Sequence, residues 1–235
     1  MPLSHDPDEI IALALLSEVQ TILASAIDSL GNKQAPSIDT NYLFHTAVGL
    51  NRVAEGFFFL RNNFRVHASK ILVRSAIELL VYGSAGLKSK EFHFRKAYTE
   101  WFEDKKLLAK TTAEELEAQK ALADLEQHFR MNFPGYPIEY KKLRISDAAK
   151  LAHLEDLYKS QFAIYSQYTH GSLRALTGDL DKATDSHDTN VMSWCVLITI
   201  DHLKENTPAE VPDMIPFRKR LLTISGVKLE DVDKT

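Results

Sequence analysis

Two pairs of polar side chains in this 235-residue chain have the spacing needed to act together. Arg74 and Glu78 are four residues apart in one apolar stretch, and Ser166 and His170 are four residues apart in another. Residues with this spacing share one face of an α-helix. A guanidinium can hold a carboxylate in fixed geometry, and a serine beside an imidazole is one part of a nucleophile–base arrangement. We therefore expect the four residues to meet between two packed helices as a buried polar cluster.

These four residues do not by themselves specify a catalytic site. Nucleophilic catalysis also needs a group that orients the imidazole and donors for the oxyanion, and the chain has no Gly-x-Ser-x-Gly motif. Tyr165 and Tyr168 flank Ser166 and are candidates for contact with a ligand. A surface ion pair and a histidine bonded within the core fit the same spacing. Binding, catalysis and a purely structural role all remain open at this point.

Two predicted helices must position these side chains. The first covers residues 64–85 and the second covers residues 158–177, and in both the apolar residues recur at helical spacing. The apolar face of the first helix is formed by Leu72, Val73, Ala76, Ile77, Leu79 and Leu80. The face of the second is formed by Leu157, Tyr158, Phe162, Tyr165, Tyr168 and Leu176.

The rest of the chain also has the pattern of helices. Hydrophobic residues make up 45% and charged residues 26%, which is typical of a globular protein, and no segment has the alternation of a strand. The fold class predicted is all-α: a single domain of about eight helices, counted from the periodic segments. Within this domain, the first helices are predicted to cover residues 6–86. A charged antiparallel helical pair forms an arm at 89–131, and the C-terminal helices cover 146–225.

Composition limits the function classes. The net charge is −4 and no basic stripe is present, which disfavours DNA as a partner. The single cysteine, Cys195, cannot form an internal disulfide, and this favours a reducing compartment. The start of the chain lacks the pattern of a signal peptide, and the longest uncharged apolar run, 189–200, is too short to span a bilayer. We expect a cytoplasmic protein without a membrane partner.

No metal or cofactor is predicted. The chain has no Glu-x-x-His pair of the kind that builds carboxylate metal sites in helical bundles. The acidic segment 178–190 contains Asp179, Asp181, Asp185 and His187, but it lacks the central glycine and closing glutamate of a calcium loop. We interpret it as a solvated loop. A homodimer is compatible with the chain, and no partner is specified.

The two polar pairs lie in motifs that resemble a known family. The segment Val73-Arg74-Ser75-Ala-Ile-Glu78 and the later segment Tyr165-Ser166-Gln-Tyr-Thr-His170 resemble a family of uncharacterised, all-helical, mostly bacterial proteins. In that family Leu-x-Arg-Ser-x-x-Glu precedes Tyr-x-x-Leu-Ser-x-x-x-His, whereas here the tyrosine directly precedes the serine. The resemblance covers about 51–176. It implies an all-helical domain of unknown function in which the four residues meet, and it implies no activity.

Arg61 and His67 form a second candidate site. The segment Arg61-Asn62-x-x-x-x-His67 is similar to the spacing of arginine, polar residue and histidine in the helical HEPN ribonucleases. This resemblance implies a metal-independent endoribonuclease, commonly active across a dimer interface, or another hydrolase. In such a site histidine transfers protons and arginine stabilises the developing phosphate charge. RNA is a partner only under this alternative.

Overall fold

The computed structural model describes residues 6–31, 37–63, 65–108, 112–132, 134–135, 141–169 and 185–227. Within these ranges every regular element is helical, which confirms the predicted all-α class. The helices are α1 (Pro7–Leu30), α2 (Ile38–Asn62), α3 (Val66–Lys88), α4 (Lys90–Leu108), α5 (Thr112–Asn132), α6 (Ile145–Ala152), α7 (Glu155–Leu157), α8 (Ala163–Thr169), α9 (Asp185–Asn206) and α10 (Ile215–Ile224). One π-helical turn, Tyr158–Phe162, joins α7 to α8.

The core is built from α1, α2, α3 and α9. The α2 and α3 helices pack along their length, α1 packs against α9 and α2, and α9 also contacts α3. The α2–α3 contact depends on a small residue, because a Cβ atom on Gly83 would lie 2.8 Å from Oγ1 of Thr46. Cys195 is buried in α9, and burial raises the pKa of its thiol to about 12. The thiol is therefore protonated and unreactive at neutral pH.

The α1 helix is the most apolar element. Asp6 caps its start by accepting a hydrogen bond from the amide of Asp8 at 3.1 Å, and Pro7 occupies the first turn. Its most apolar 18-residue window has a mean hydropathy of 2.0, so the helix is long and apolar enough to cross a membrane. The core helix of a soluble protein passes the same test. In this structure α1 packs against α9, α2 and α10, and the cytoplasmic location stays a prediction.

The second half of the chain lies against α3. The segment α7–π-helical turn–α8 runs antiparallel to it, with Tyr168 near Lys70 and Phe162 near Arg74, and α6 packs on α3 beside this segment. The predicted packing of these two helical regions is therefore present. The charged pair α4–α5 also forms, with the first turn of α4 buried through Phe92 and His93.

One predicted boundary differs from the structure. The acidic segment 178–190 was predicted to be a solvated loop. The last long helix, α9, begins at Asp185, so Asp185, His187 and Asp188 are helical. Asp179 and Asp181, predicted to lie in the same loop, are outside the described residues.

Candidate functional site

Arg74 and Glu78 form a half-exposed ion pair on the outer side of α3. Nη2 of Arg74 lies 3.2 Å from Oε1 of Glu78, and the two side chains are 21% and 34% exposed. The guanidinium lies over the ring of Phe162, with its central carbon 5.0 Å from the ring centroid. Its Nε atom is buried and has no hydrogen-bond acceptor among the residues that the structure describes. Arg74 thus contacts an aromatic ring, while its Nε donor is unused among the described residues.

The π-helical turn supplies the aromatic side of this arrangement. The rings of Tyr158 and Phe162 are stacked, with centroids 5.0 Å apart and an interplanar angle of 21°. Ser166 follows one turn later, and its hydroxyl donates to the carbonyl of Phe162 at 2.8 Å. The ring of Phe162 therefore contacts both the cation of Arg74 on α3 and the ring of Tyr158 in the π-helical turn.

The carboxylate of Glu78 also acts electrostatically on a third aromatic ring, that of Tyr82. Burial raises the pKa of Tyr82, and the carboxylates of Glu78 and Glu100 add to that effect. The ammonium of Lys96 on α4 lies 4.7 Å from the centroid of the Tyr82 ring. We call the patch formed by Arg74, Glu78, Tyr82, Tyr158 and Phe162 the Arg74 surface.

Two of the four residues predicted to cluster, Arg74 and Glu78, pair with each other on α3. Ser166 lies on α8, one turn after Phe162. The hydroxyl of Ser166 is bonded to its own helix and not to an imidazole. His170 lies outside the described residues, so its predicted meeting with Arg74 stays a prediction.

A second polar cluster lies fully inside the bundle, at the start of α9. The carboxylate of Asp188 accepts hydrogen bonds from Nη2 of Arg61 and the hydroxyl of Tyr165, both at 2.7 Å. The ammonium of Lys70 lies 2.8 Å from the same carboxylate. This Asp188 cluster joins α2, α3, α8 and α9 through one anion.

The first turn of α1 completes the Asp188 cluster. Oε1 of Glu9 lies 3.7 Å from Nε of Arg61 and accepts a hydrogen bond of 2.9 Å from the hydroxyl of Thr189. Among the residues that the structure describes, the cluster brings together two cations, Arg61 and Lys70, and two carboxylates, Asp188 and Glu9. A buried charge is tolerated only when it is paired in this way, because desolvation of an unpaired ion costs several kcal/mol, on the order of the whole stability of a domain.

Tyr165 and Tyr168, predicted to contact a ligand, belong to this interior. Tyr165 is 1% exposed, and its burial together with the charge of Asp188 raises the pKa of its phenol. The ring of Tyr168 is buried between the ammonium of Lys70 at 5.3 Å and the imidazole of His67 at 5.1 Å. Neither ring is open to a ligand in this structure, because both pack where α8 meets α3.

Arg61 and His67, predicted from the ribonuclease spacing, do not share one helix. Arg61 is in the last turn of α2 with its side chain 1% exposed, and His67 is in the first turn of α3. Arg61 is paired with Asp188, and His67 is half-buried against Tyr168. A phosphate could reach Arg61 only if the Asp188 cluster opened.

One serine–histidine contact is present elsewhere, between α3 and α9. The hydroxyl of Ser84 lies 2.9 Å from Nε2 of His202. Ser84 is 1% exposed, and burial lowers the pKa of His202. A serine without access to a substrate cannot act as a nucleophile, so this contact links the two helices.

The chain matches the model of a family of unknown function (DUF5677) over residues 40–188. It belongs to this family. The family region runs from the first turn of α2 to Asp188 in α9, so it contains the Arg74 surface and most of the Asp188 cluster, while Glu9 and Thr189 lie outside it. This confirms the resemblance drawn from the two motifs. No curated protein and no solved structure matches the chain.

Several members of the Asp188 cluster were missed by reasoning from the sequence. Lys70 lies in the same polar stripe as Arg74, and its side chain turns inward one helical turn earlier. Glu9 lies in the first turn of α1, where the helix dipole favours an acidic residue at the surface, although its side chain faces the core. Asp188 was assigned to a loop end. In the part of the chain that the structure describes, no group of histidine, cysteine, aspartate or glutamate side chains could hold a metal.

Proposed function

We propose that this member of the DUF5677 family is a helical binding domain whose ligand carries a carboxylate group that pairs with Arg74. The observation that supports this proposal is the state of the Arg74 guanidinium. It is held against the ring of Phe162, and its side chain is partly exposed. A guanidinium held in one orientation loses little entropy when it forms a paired contact with a carboxylate.

Glu78 is the internal competitor for this site. It is the carboxylate that Arg74 contacts at 3.2 Å, and it is one-third exposed. An exposed ion pair contributes little stability, typically ~0–1 kcal/mol, so a ligand carboxylate can replace Glu78 at low cost. Tyr158 and Tyr82 flank the exchange position and offer apolar surface for the rest of the ligand.

The π-helical turn gives this surface its shape. A π-helical turn inserts one extra residue into the helical path, and such turns are frequent at functional sites. Here it is the segment that brings Tyr158 into a stack with Phe162 below Arg74. We infer that the ligand contacts the π-helical turn and α3 together.

The Asp188 cluster has a different role in this proposal. It lies on the same two helical regions one turn away from the Arg74 surface, because Lys70 precedes Arg74 and Tyr165 follows Phe162. Its hydrogen bonds hold α8 against α3. They thereby fix the position along α3 at which Phe162 contacts Arg74. We assign it to positioning the binding surface.

The nuclease alternative has weaker support. It requires Arg61 to face a phosphate, but the guanidinium is buried and bonded to Asp188. It also requires His67 near that cation, whereas the contact found for His67 is the ring of Tyr168. No observation on the described residues favours cleavage of RNA through this pair.

The binding proposal is tested by nuclear magnetic resonance on the full chain, with glutarate as the carboxylate probe. The Nε–Hε resonance of Arg74 is expected to shift with saturation in the native protein. Arg74→Lys keeps the charge but removes the paired donors, and it is expected to abolish the saturable shifts of Tyr158 and Phe162. Lys204→Gln, an exposed change on α9, serves as the control. The proposal fails if glutarate produces no saturable shift, or if Arg74→Lys responds as the native protein does.

A further inference from the structure

A second charged cleft lies between α4 and the segment that leads into α6. Its volume is about 580 Å³, within the ~300–1,000 Å³ range typical of small-molecule sites. Four cationic and two acidic side chains line it, in a chain whose net charge is −4. The charged lining consists of Arg95, Lys141, Lys142, Arg144, Glu103 and Asp147.

The walls of the cleft are tied together by one hydroxyl. Thr99 donates to the carbonyl of Arg95 at 2.7 Å and accepts a hydrogen bond from the amide of Leu143 at 2.7 Å. Lys142 pairs with Glu103 across the same opening. The segment before α6 is therefore fastened to α4, and the position of its basic side chains relative to α4 is defined.

Arg95 lies at the base of the cleft and is held by long contacts. Its guanidinium donates to the carbonyls of Lys141 and Lys142 at 3.4 and 3.5 Å and to the carboxylate of Asp147 at 3.5 Å. Its Nε atom also lies 3.9 Å from the carboxylate of Glu91. Hydrogen bonds of this type are ordinarily about 2.9 Å long. A ligand oxygen that approached the 14% exposed guanidinium would form a shorter, charge-assisted bond.

The rim of the cleft adds positive charge from the start of α6. Arg144 is the residue that precedes this helix, and both Arg144 and Lys141 are exposed. The start of a helix carries a partial positive charge from its backbone amides. Among the described residues, the four cations of the cleft outnumber the three carboxylates beside them, those of Glu91, Glu103 and Asp147, so the field inside it favours an anion.

We propose that this cleft binds a small phosphorylated ligand, with Arg95 at its base and Arg144 and Lys141 at its rim. A phosphate group is compact, carries close to two negative charges and offers three oxygens to donors that approach from several directions. This site is separate from the Arg74 surface and requires no carboxylate ligand there.

The test is a calorimetric titration of the full chain at low salt with inorganic pyrophosphate. The native protein is expected to bind it, and the double substitution Lys141→Gln with Arg144→Gln is expected to weaken binding by at least about tenfold, since each charge-assisted contact contributes roughly that factor or more. Both side chains are exposed, so this variant should keep the native melting temperature. Arg95→Lys keeps the charge, loses the planar group and should also bind more weakly.

Three results would overturn the assignment. One is an absence of binding by the native protein, or equal affinity in the native protein and the double variant. Another is tighter binding of citrate than of pyrophosphate, which would make the ligand a polycarboxylate. The third is loss of pyrophosphate binding in Arg74→Gln, because the heat would then come from the Arg74 surface. The control Lys219→Gln on α10 should leave the titration unchanged.

Discussion

Asp188 accepts a 2.7 Å hydrogen bond from the guanidinium of Arg61, which lies 127 residues earlier in the chain. This contact joins the start of α9 to the end of α2. The ammonium of Lys70 and the phenol of Tyr165 meet the same carboxylate, so α3 and α8 are fixed to it as well. The register in which Phe162 lies under Arg74 depends on the same two helices.

Asp188→Asn should destabilise the fold strongly. It removes the carboxylate that pairs with the buried cations of Arg61 and Lys70. Removing one partner of a buried ion pair typically costs ~3–5 kcal/mol. The free energy of unfolding in urea measures this change, and Asp124→Asn, an exposed change on α5, is the control. A loss below ~1 kcal/mol, the value of a surface pair, would show that the cluster is solvated.

Gly83→Ala should destabilise the contact between α2 and α3. The added Cβ would lie 2.8 Å from Oγ1 of Thr46, so either the Thr46 side chain must rotate or one of the helices must shift. Overpacking of this kind typically costs ~1–3 kcal/mol. Thr46→Ala removes the blocking oxygen, and we expect the double variant to be less destabilised than the sum of the two single variants. Strict additivity in urea unfolding would place the steric conflict elsewhere.

The stability of the fold should fall on acidification through His202. Burial lowers the pKa of this imidazole below its ordinary value of 6.5, although the carboxylate of Glu205 acts in the opposite direction. Above pH 6.5 the group is neutral in both the folded and the unfolded chain, and it then contributes no pH dependence. As the pH falls from 6.5 to the lower pKa of the folded state, the unfolded chain takes up the proton first, so the free energy of unfolding decreases.

His202→Asn checks this dependence, because asparagine can still bond to Ser84 but does not titrate. Melting temperatures at about pH 7.5 and about pH 5.5 bracket the ordinary histidine pKa. The native protein should lose more stability between them than the variant does. The exposed substitution His45→Asn should leave the native difference unchanged. Equal differences in the native protein and His202→Asn would assign the acid sensitivity to other groups.

The helices could be predicted from the sequence because their apolar residues repeat with the helical period. The start of α9 could not, since Asp185, Ser186, His187 and Asp188 are residues typical of turns and caps, and only contacts with distant helices show that Asp188 is buried. The π-helical turn was also missed. It shifts the repeat of apolar residues by a single position. A shift of that size cannot be distinguished in the sequence from the normal irregularity of an amphipathic helix.

The candidate site was predicted in part. The spacing of Arg74 and Glu78 indicated a pair on one helical face, and the structure has that pair at 3.2 Å. Spacing within one helix carries no information about which ring covers the guanidinium, so Phe162 was assigned only to the core. For the same reason Lys70 and Asp188 were not recognised as partners, because each reads as an ordinary surface charge.

The most direct test compares the affinity of glutarate for three forms of the full chain: native, Arg74→Lys and Glu78→Gln. Glu78→Gln removes the internal carboxylate that competes for the guanidinium, whereas Arg74→Lys removes the paired donors. If Arg74 is the anchor for a ligand carboxylate, Glu78→Gln binds more tightly than the native protein and Arg74→Lys binds more weakly. Equal affinity in all three forms would contradict the account.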